Sequence, residues 1–545
     1  MTMRKIAITI ILSLAAVVSY AQTAYDALMF SENYYEGTAR TVAMGNAFTA
    51  LGGDLGAITI NPAAGAISGY SQYTITPALT FSTNKVQGVS PYADGSLPYF
   101  QREMKSTDAG FAIPNMGLNF SWETGRKRGL KSMNFGFVVN QTNTWNENIY
   151  ANGTNSTTSF MGALATEATL NGYDAADLDA TNAYEYMPWS LVSAYQSGMI
   201  STYGGYSNNY IGASQDFYYN SAQREYVKEV KGQLEQTYGH QIEGTKQEYI
   251  FNWGGNISDF IYIGANLGFS SITYAYDTYF TEKAVNPDEF DLEFDNGEII
   301  YFHQMKYSHT YRADGLGVFG KLGVIVTPGY GLRFGAAIQT PTATTMTESW
   351  TDDGDTKFST GSFSALSPYI EAEYTFFSPM RANFGAAYTL GQLGLISVDY
   401  EVADYSKMKY DTNNSDRQYF EEVNSDIRKR FGKSNMLRIG LEVKPLPELA
   451  IRAGYGYTTS AEKLDEMGYQ LEPITTQTAS FGLGYSSKDS FFADFALKTN
   501  ILPDEYILPY VDYEKDTKGK FRYQSPIIRN RRSLWKAFIT FGWRF

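Results

Sequence analysis

The last ten residues of the chain, from Lys536 to Phe545, alternate apolar and polar side chains. In an extended strand these two sets face opposite sides. The apolar face carries Ala537, Ile539, Phe541, Trp543 and Phe545. Such a face, ending on an aromatic residue, is typical of a transmembrane β-strand. Because lipid does not tolerate an open sheet edge, this segment predicts a closed β-barrel.

The opposite end of the chain predicts export. Arg4 and Lys5 precede an apolar run over residues 6–18, and Ser19-Tyr20-Ala21 follows it. This pattern indicates a signal peptide over residues 1–21, with cleavage before Gln22. No second apolar run approaches the roughly 20 residues of a transmembrane helix. The chain has no cysteine, so we expect neither a lipoprotein anchor nor a disulfide frame.

The composition favours the bacterial outer membrane over the periplasm. Among 545 residues there are 44 Tyr, 34 Phe and 50 Gly, yet the mean hydropathy is only −0.31. This mixture is expected when half of the strand positions face lipid and half face a polar lumen. The net charge of −14 argues against nucleic acid as a partner. The expected environment is outer-membrane lipid, and we expect a monomer.

The order of short turns and long loops predicts the strand number. Six turn-forming segments lie at 125–129, 258–259, 328–331, 391–394, 445–448 and 486–489. Seven longer connections lie near 85–109, 145–246, 281–299, 350–362, 410–432, 460–473 and 500–532. Six inner turns and seven outer loops join about fourteen antiparallel strands, with both chain ends in the periplasm. The fold class is therefore all-β, a transmembrane barrel over residues 71–545 with a large extracellular loop at about 145–246.

The two faces of the predicted strands differ in size as well as polarity. Met116, Leu118 and Phe120 alternate with Asn115, Gly117 and Asn119. Later strands repeat this pattern, with glycine frequent on the lumenal face. Glycine lets another backbone approach closely. We therefore expect the lumen to hold a plug, or hatch, formed by residues 22–70, which show no strand alternation.

Several short motifs in that segment resemble a known family. They are Gly37-Thr38-Ala39-Arg40, Met44-Gly45, Ala47-Phe48 and Asn61-Pro62-Ala63. In this order, ahead of the first strand, they resemble the N-terminal hatch of the long-chain fatty-acid transporters FadL and TodX. The segment from Gly394 to Tyr405 resembles a later strand of the same family. The loop at 145–246 departs from the family's pattern in length.

The resemblance implies passive uptake of hydrophobic molecules such as long-chain fatty acids. Members capture a ligand in an apolar groove of the outer loops and pass it to a pocket above the hatch. They then release it sideways into the membrane through a gap in the wall. No cofactor is implied. The resemblance also implies that Gly37, Arg40, Gly45, Phe48, Asn61, Pro62 and Ala63 belong to the hatch and its gating; Asn61-Pro62-Ala63 alone could be a simple turn.

Three arginines are candidate ligand-binding residues. By strand parity Arg381, Arg438 and Arg452 face the lumen, together with Asp399 and Glu401. One interpretation is a charge network that orders the wall and holds the plug. The alternative is that an arginine binds the carboxylate of a fatty acid.

The large loop contains apolar segments that must be buried by protein. Trp189, Leu191, Val192 and Tyr195 form one such segment, and residues 160–165 form another. They could form a small core within the loop or a groove that captures ligand.

Enzyme and metal functions have little support in the sequence. The three histidines, His240, His303 and His309, have no metal-binding spacing. We expect no catalytic residues, no metal and no cofactor. The alternative functions are a FadL-like barrel that serves as a binding or assembly platform, for example in protein secretion, and a plain diffusion channel for polar solutes.

Overall fold

A computed structural model of the chain describes residues 10–12, 22–90, 97–221, 225–293, 297–412, 417–464, 474–488, 490–511 and 526–545. Most of the predicted signal peptide lies outside these residues. Within it, the short strand Ile10–Leu12 pairs in parallel with Glu505–Leu508.

Fourteen antiparallel barrel strands are present in the described part of the chain. They are β1 (Gln72–Gly88), β2 (Met104–Glu123), β3 (Leu130–Asn155), β4 (Leu234–Ile257), β5 (Ile261–Ala284), β6 (Ile299–Gly329), β7 (Leu332–Gln339 and Ala343–Phe358), β8 (Gly361–Leu366, Ile370–Phe377 and Arg381–Thr389), β9 (Gly394–Asp404), β10 (Lys433–Leu446), β11 (Leu449–Thr459), β12 (Thr475–Ser486), β13 (Phe491–Ile501) and β14 (Ile528–Arg544). Each strand pairs with the next, and β14 pairs with β1 from Arg544↔Gln72 to Ile528↔Gly88. The predicted fourteen-stranded antiparallel barrel is confirmed.

The outward and inward faces follow the predicted parity. Leu267 and Phe269 on β5 are exposed at 51% and 43% on the lipid side. Asn134 and Asn252 face inward and are fully buried. The wall therefore presents an apolar band to the membrane and a polar, small-residue face to the lumen, as membrane barrels require.

Strands on one side of the barrel rise much further than the alternation of apolar residues indicates. β3 to β6 contain 24 to 31 residues each, whereas β9, β11 and β13 contain 11. The large loop accordingly spans 156–233 rather than 145–246. Above the membrane an outward position need not be apolar, so the period-two signal disappears although the strands continue.

Eight α-helices are present among the described residues, between the strands and ahead of β1. The N-terminal segment, residues 22–70, contains α1 (Ala24–Ser31), α2 (Ala39–Ala43), α3 (Leu55–Ile60) and α4 (Ala64–Ile67). The large loop contains α5 (Phe160–Asn171), α6 (Ala175–Leu178) and α7 (Trp189–Gln196), and the loop after β9 contains α8 (Arg417–Arg430). Among the described residues, none of these helices is long and apolar enough to cross a bilayer.

Candidate functional site

The N-terminal segment lies against the lumenal face of the barrel wall. The side chain of Asn61 donates to the carbonyl of Thr49 at 2.7 Å, and to the carbonyl of Val324 on β6 at 3.2 Å. Its Oδ1 accepts from the backbone N–H of Ala63 at 3.0 Å. Asn61 thus sets the turn of Asn61-Pro62-Ala63 and ties that turn to the wall.

Lumenal glycines make this close packing possible. A Cβ on Gly264 would overlap the backbone of Pro62, and one on Gly335 would overlap the carbonyl of Thr49. Gly45 has a φ of +62°, which L side chains rarely adopt, and it packs against Gly454 of β11. Small wall residues and the turn of the N-terminal segment are therefore complementary in shape.

Arg40 is held by a buried carboxylate of the wall. Its Nε donates to Glu442 at 3.0 Å, and its guanidinium lies over the ring of Phe48 at 5.5 Å. Arg452 approaches the same Glu442 at 2.6 Å and Asp494 at 2.5 Å. Two arginines share one carboxylate here, so Arg452 links the wall strands while Arg40 attaches α2 to them.

Arg381 and Arg438 meet at a second carboxylate, Glu401. Arg381 Nη1 lies 3.2 Å from Glu401 Oε1, and Arg438 Nη1 lies 3.1 Å from its Oε2. The adjacent Asp399 accepts from the backbone N–H and the hydroxyl of Thr49, each at 2.7 Å. Arg381 also donates to the carbonyl of Ser31, with an Nη2···O distance of 2.5 Å. These contacts join the charged wall to the N-terminal segment.

An aromatic compartment surrounds α1 in the upper lumen. Phe30 makes edge contacts with Trp145 and Tyr274, with ring centroids 6.0 and 5.7 Å apart, and packs on Phe376 at 6.5 Å. The compartment also contains Ile272, Tyr311, Met346, Tyr374, Tyr410 and the α8 residues Phe420, Val423 and Ile427. α1 fills this apolar space with Ala24, Ala27, Leu28 and Phe30.

Cations cap the carboxyl end of α1. Lys246 Nζ donates to the carbonyl of Phe30 at 2.8 Å and to that of Glu32 at 3.3 Å. Arg381 reaches Ser31 beside them. A helix C-terminus carries a partial negative charge, so the two cations bind α1 as they would bind a carboxylate group.

The wall opens between β2 and β3. Their backbone pairing runs from Glu123↔Ser132 to Asn115↔Asn140 and stops there. Above that level β2 stays paired with β1, up to Met104↔Val86, and β3 stays paired with β4, up to Asn155↔Leu234. We call the interval between residues 104–114 and the upper part of β3 the side opening.

Proline marks the level at which the side opening begins. Pro114 immediately precedes the last paired residue of β2, and the pairing of β1 with β2 is irregular between Thr76 and Ala78, at Pro77. Proline cannot donate a backbone hydrogen bond. Side chains bridge the opening instead: Ser106 and Asn84 both donate to the carbonyl of Asn148.

The N-terminal segment covers the lumenal side of this level. The backbone N–H of Tyr34 donates to Thr142 at 2.5 Å, and that of Glu36 donates to Gln141 at 3.0 Å. Glu36 also forms a buried ion pair with Lys536 of β14. Residues 34–36 thus bond to the edge of β3 where β2 departs, with Glu36 and Gln141 forming an isolated antiparallel bridge.

The large loop folds into the outer mouth of the barrel. Glu282 of β5 accepts from Ser159 Oγ at 2.6 Å and from the backbone N–H of Phe160 at 2.7 Å. Leu191 and Val192 are fully buried, Trp189 is 5% exposed, and Tyr195 packs against the same core. Leu191, Val192 and Tyr195 lie in a core that the loop shares with the wall, including Phe280 and Tyr307, whereas the ring of Trp189 packs against that of Trp350, with centroids 5.8 Å apart.

One carboxyl oxygen in the large loop is buried without a hydrogen-bond partner among the described residues. Glu167 of α5 has its Oε1 shielded from solvent and unpaired. Burial raises the pKa of Glu167 from its ordinary value to about 7, because the low-dielectric surroundings penalise the charged form.

Several of these features are absent from the sequence prediction. Gln141, Thr142 and Trp145 lie at the side opening or beside it, in a region assigned partly to a loop. The lumenal position of Asn119, Asn134 and Asn252 was predicted by strand parity, but not the hydrogen-bonded row that they form under α4, with 2.9 and 2.8 Å between neighbours. Mid-strand Pro77 and Pro114 were the signal that could have located the opening.

This arrangement defines the chain as an outer-membrane, multi-pass β-barrel whose lumen contains its own N-terminal segment. In structure it is similar to the toluene transporter TodX of Pseudomonas putida, with a TM-score of 0.50 and 11% identity over 94% of this chain and 99% of TodX. The fold is therefore of the FadL/TodX type.

Two further solved structures are similar over most of their length. A FadL homologue of Pseudomonas aeruginosa has a TM-score of 0.49 and 10% identity, over 94% of this chain and 100% of that one. The toluene transporter TbuX of Ralstonia pickettii has a TM-score of 0.43 and 12% identity, over 95% and 100%. No sequence-family profile and no curated protein matches the chain.

Proposed function

We propose that this barrel is a passive, non-enzymatic channel that takes up hydrophobic molecules such as long-chain fatty acids and releases them sideways into the outer membrane. The observation that carries the proposal is the interrupted pairing of β2 and β3 beside an aromatic compartment. TodX, which has the same fold, is a toluene transporter.

The side opening gives the cargo a route that avoids water. An acyl chain loses about 0.8 kcal/mol for each CH₂ exposed to water. Trp145 belongs to the aromatic compartment. Its neighbour Asn146 approaches Gly110 of β2, since a Cβ on that glycine would lie 3.5 Å from Asn146 Nδ2. The compartment and the opening are therefore one residue apart along β3.

Residues 22–70 act as the hatch in this proposal. α1 occupies the space that a ligand needs, and its C-terminal carbonyls occupy Lys246 and Arg381. A fatty carboxylate that replaces those carbonyls displaces α1 from the compartment. Movement of α1 then pulls on residues 34–36 and uncovers the side opening. Because α1 competes with ligand within the same chain, its removal raises the apparent affinity.

Uptake by intact cells tests the proposal. The protein is produced in a bacterium that lacks its own channel of this kind, and radiolabelled oleate, toluene and glycerol are supplied separately. We expect saturable uptake of oleate or toluene above the rate of cells without the protein, and no gain for glycerol. A gain for glycerol alone would support a polar diffusion channel. No gain for any of the three would favour the assembly-platform function, which requires no side opening.

A further inference from the structure

A second, polar cavity lies between the N-terminal segment and the short-strand side of the barrel. Its volume is about 50 Å³, and it is lined by Tyr35, Asn46, Arg438, Thr478, Lys498 and Asn500, among others. Unlike the aromatic compartment around α1, this cavity is lined mainly by polar side chains. At roughly 10–15 Å³ per water, it holds about four waters, one small polyatomic ion or a single carboxylate group, but not the acyl chain attached to that group.

Buried polar atoms of this cavity have no partner within the described residues. Arg438 is 2% exposed, yet its Nε and Nη2 make no hydrogen bond, and the hydroxyl of Tyr35 is also unpaired. Asn46 and Asn500 each leave Oδ1 without a donor. Burying a polar group without a hydrogen-bond partner is destabilising, so an occupant that satisfies these groups would be stabilised.

The charges around the cavity favour an anion. Arg438 is balanced by Glu401 at 3.1 Å and by Asp399 at 3.9 Å. Lys498 has no carboxylate within salt-bridge distance among the described residues, because the nearby Glu36 pairs directly with Lys536. Lys498 therefore brings to the cavity a positive charge that no direct ion pair within the described residues neutralises.

We propose that this cavity binds a small oxyanion. Oxygens of the anion accept from Arg438, Tyr35 and Lys498. A hydroxyl on the anion, as in hydrogen phosphate, donates to Asn46 or Asn500. The site joins the N-terminal segment, through Tyr35 and Asn46, to wall strands β10 and β13, so its occupant strengthens that junction. The inference does not depend on the proposed transport of hydrophobic molecules.

Two sources could supply the oxyanion: free phosphate, or the carboxylate of a bound fatty acid. Calorimetric titration of the purified full-length barrel distinguishes them. The probes are inorganic phosphate, octanoate and the neutral octanol, in sodium chloride at matched ionic strength. Each is measured on the natural chain, on Lys498→Met and on the control Lys488→Met, whose side chain is 87% exposed in the turn after β12.

If free phosphate is the occupant, phosphate binds the natural chain and the Lys488 variant, and Lys498→Met weakens it at least tenfold. If the carboxylate of the cargo is the occupant, Lys498→Met weakens octanoate to the same extent and leaves octanol unchanged. A second measurement, protease resistance of residues 22–70, should rise with the binding anion in the natural chain and in Lys488→Met, but not in Lys498→Met. Water alone fills the cavity, and the proposal is overturned, if neither anion binds or if Lys498→Met changes neither. Uptake of toluene is independent of each of these outcomes.

Discussion

The backbone N–H of Glu36 donates a 3.0 Å hydrogen bond to the carbonyl oxygen of Gln141, at the level where β2 separates from β3. An N-terminal residue thus takes the place of a missing neighbour strand. Edge strands with free backbone groups are normally covered or paired. Here the cover belongs to a different part of the chain, so it can be removed without breaking the barrel ladder.

The ion pair of Glu36 with Lys536 should hold this cover in place. Both side chains are more than nine-tenths buried. Glu36→Ala leaves a buried lysine without its partner, at a cost of about 3–5 kcal/mol. The double variant Glu36→Leu/Lys536→Met removes both charges and should therefore lose much less stability than Glu36→Ala. Limited proteolysis of residues 22–70 measures the effect; equal loss of protection in both variants would show that the unpaired buried charge is not its cause.

A methyl group on the lumenal wall should displace the N-terminal segment. In Gly335→Ala the new Cβ overlaps the backbone of Thr49, whereas in the control Gly320→Ala the nearest atom is 3.9 Å away. Since backbone cannot yield as a flexible side chain can, we expect Gly335→Ala to loosen the segment while the barrel still folds. Influx of a small polar dye should rise for Gly335→Ala alone. Equal influx for both variants would contradict this packing.

The depth of β5 in the membrane can be tested with arginine. Leu267 and Thr273 both point outward, and Thr273 lies six residues, or about 20 Å, further along the strand. Arg at the membrane midplane costs about 2–4 kcal/mol, and near the interface about 0–1. Leu267→Arg should therefore destabilise the barrel far more than Thr273→Arg in urea unfolding from lipid vesicles. Similar losses would mean that the membrane band is misplaced.

Stability of the large loop should fall as pH rises through 7. The pKa of Glu167 in the folded loop is about 7, above its ordinary value of 4.5, so folding favours the protonated form. The stability that protonated Glu167 contributes to the loop is fully present below pH 4.5 and is lost as pH rises through 7. Hydrogen exchange of α5, corrected for intrinsic rates, should show weaker protection at pH 8 than at pH 5. Glu167→Gln should abolish that difference. The control Glu185→Gln, at an exposed position in the same loop, should retain it. An unchanged pH dependence in Glu167→Gln would rule out this carboxyl group as the cause.

Strand number, turn positions and face parity could be predicted because the bilayer imposes one rule on the sequence: apolar side chains occupy every second position of a strand that crosses it. Leu267 faces lipid and Asn266 does not, and the next strands repeat the pattern. Above the membrane that rule ends, so the upper parts of β3 and β4 and the end of β5 were assigned to loops. Ile149 and Tyr238 lie there on strands and point into the core that the large loop shares with the wall.

The contents of the lumen could be predicted only in outline. The motifs around Gly45 and Asn61 indicated a plug, and lumenal glycines indicated room for it. The sequence did not predict that α1 occupies the aromatic compartment, because this depends on side-chain contacts, such as that of Phe30 with Trp145, between residues far apart in sequence. The same holds for Lys246, which caps α1 from β4 and resembles an ordinary strand lysine in the sequence.

Closing the side opening with a disulfide tests the central claim most directly. The chain has no cysteine, so Gly110→Cys/Asn146→Cys introduces the one possible bridge across the opening. The control Met116→Cys/Val139→Cys joins directly paired residues of the same two strands below it. We predict that oxidation abolishes uptake of labelled oleate and toluene in the first variant, that reduction restores it, and that the control transports in both states. Unchanged uptake in the oxidised first variant, with the disulfide verified by gel shift, would contradict lateral release between β2 and β3.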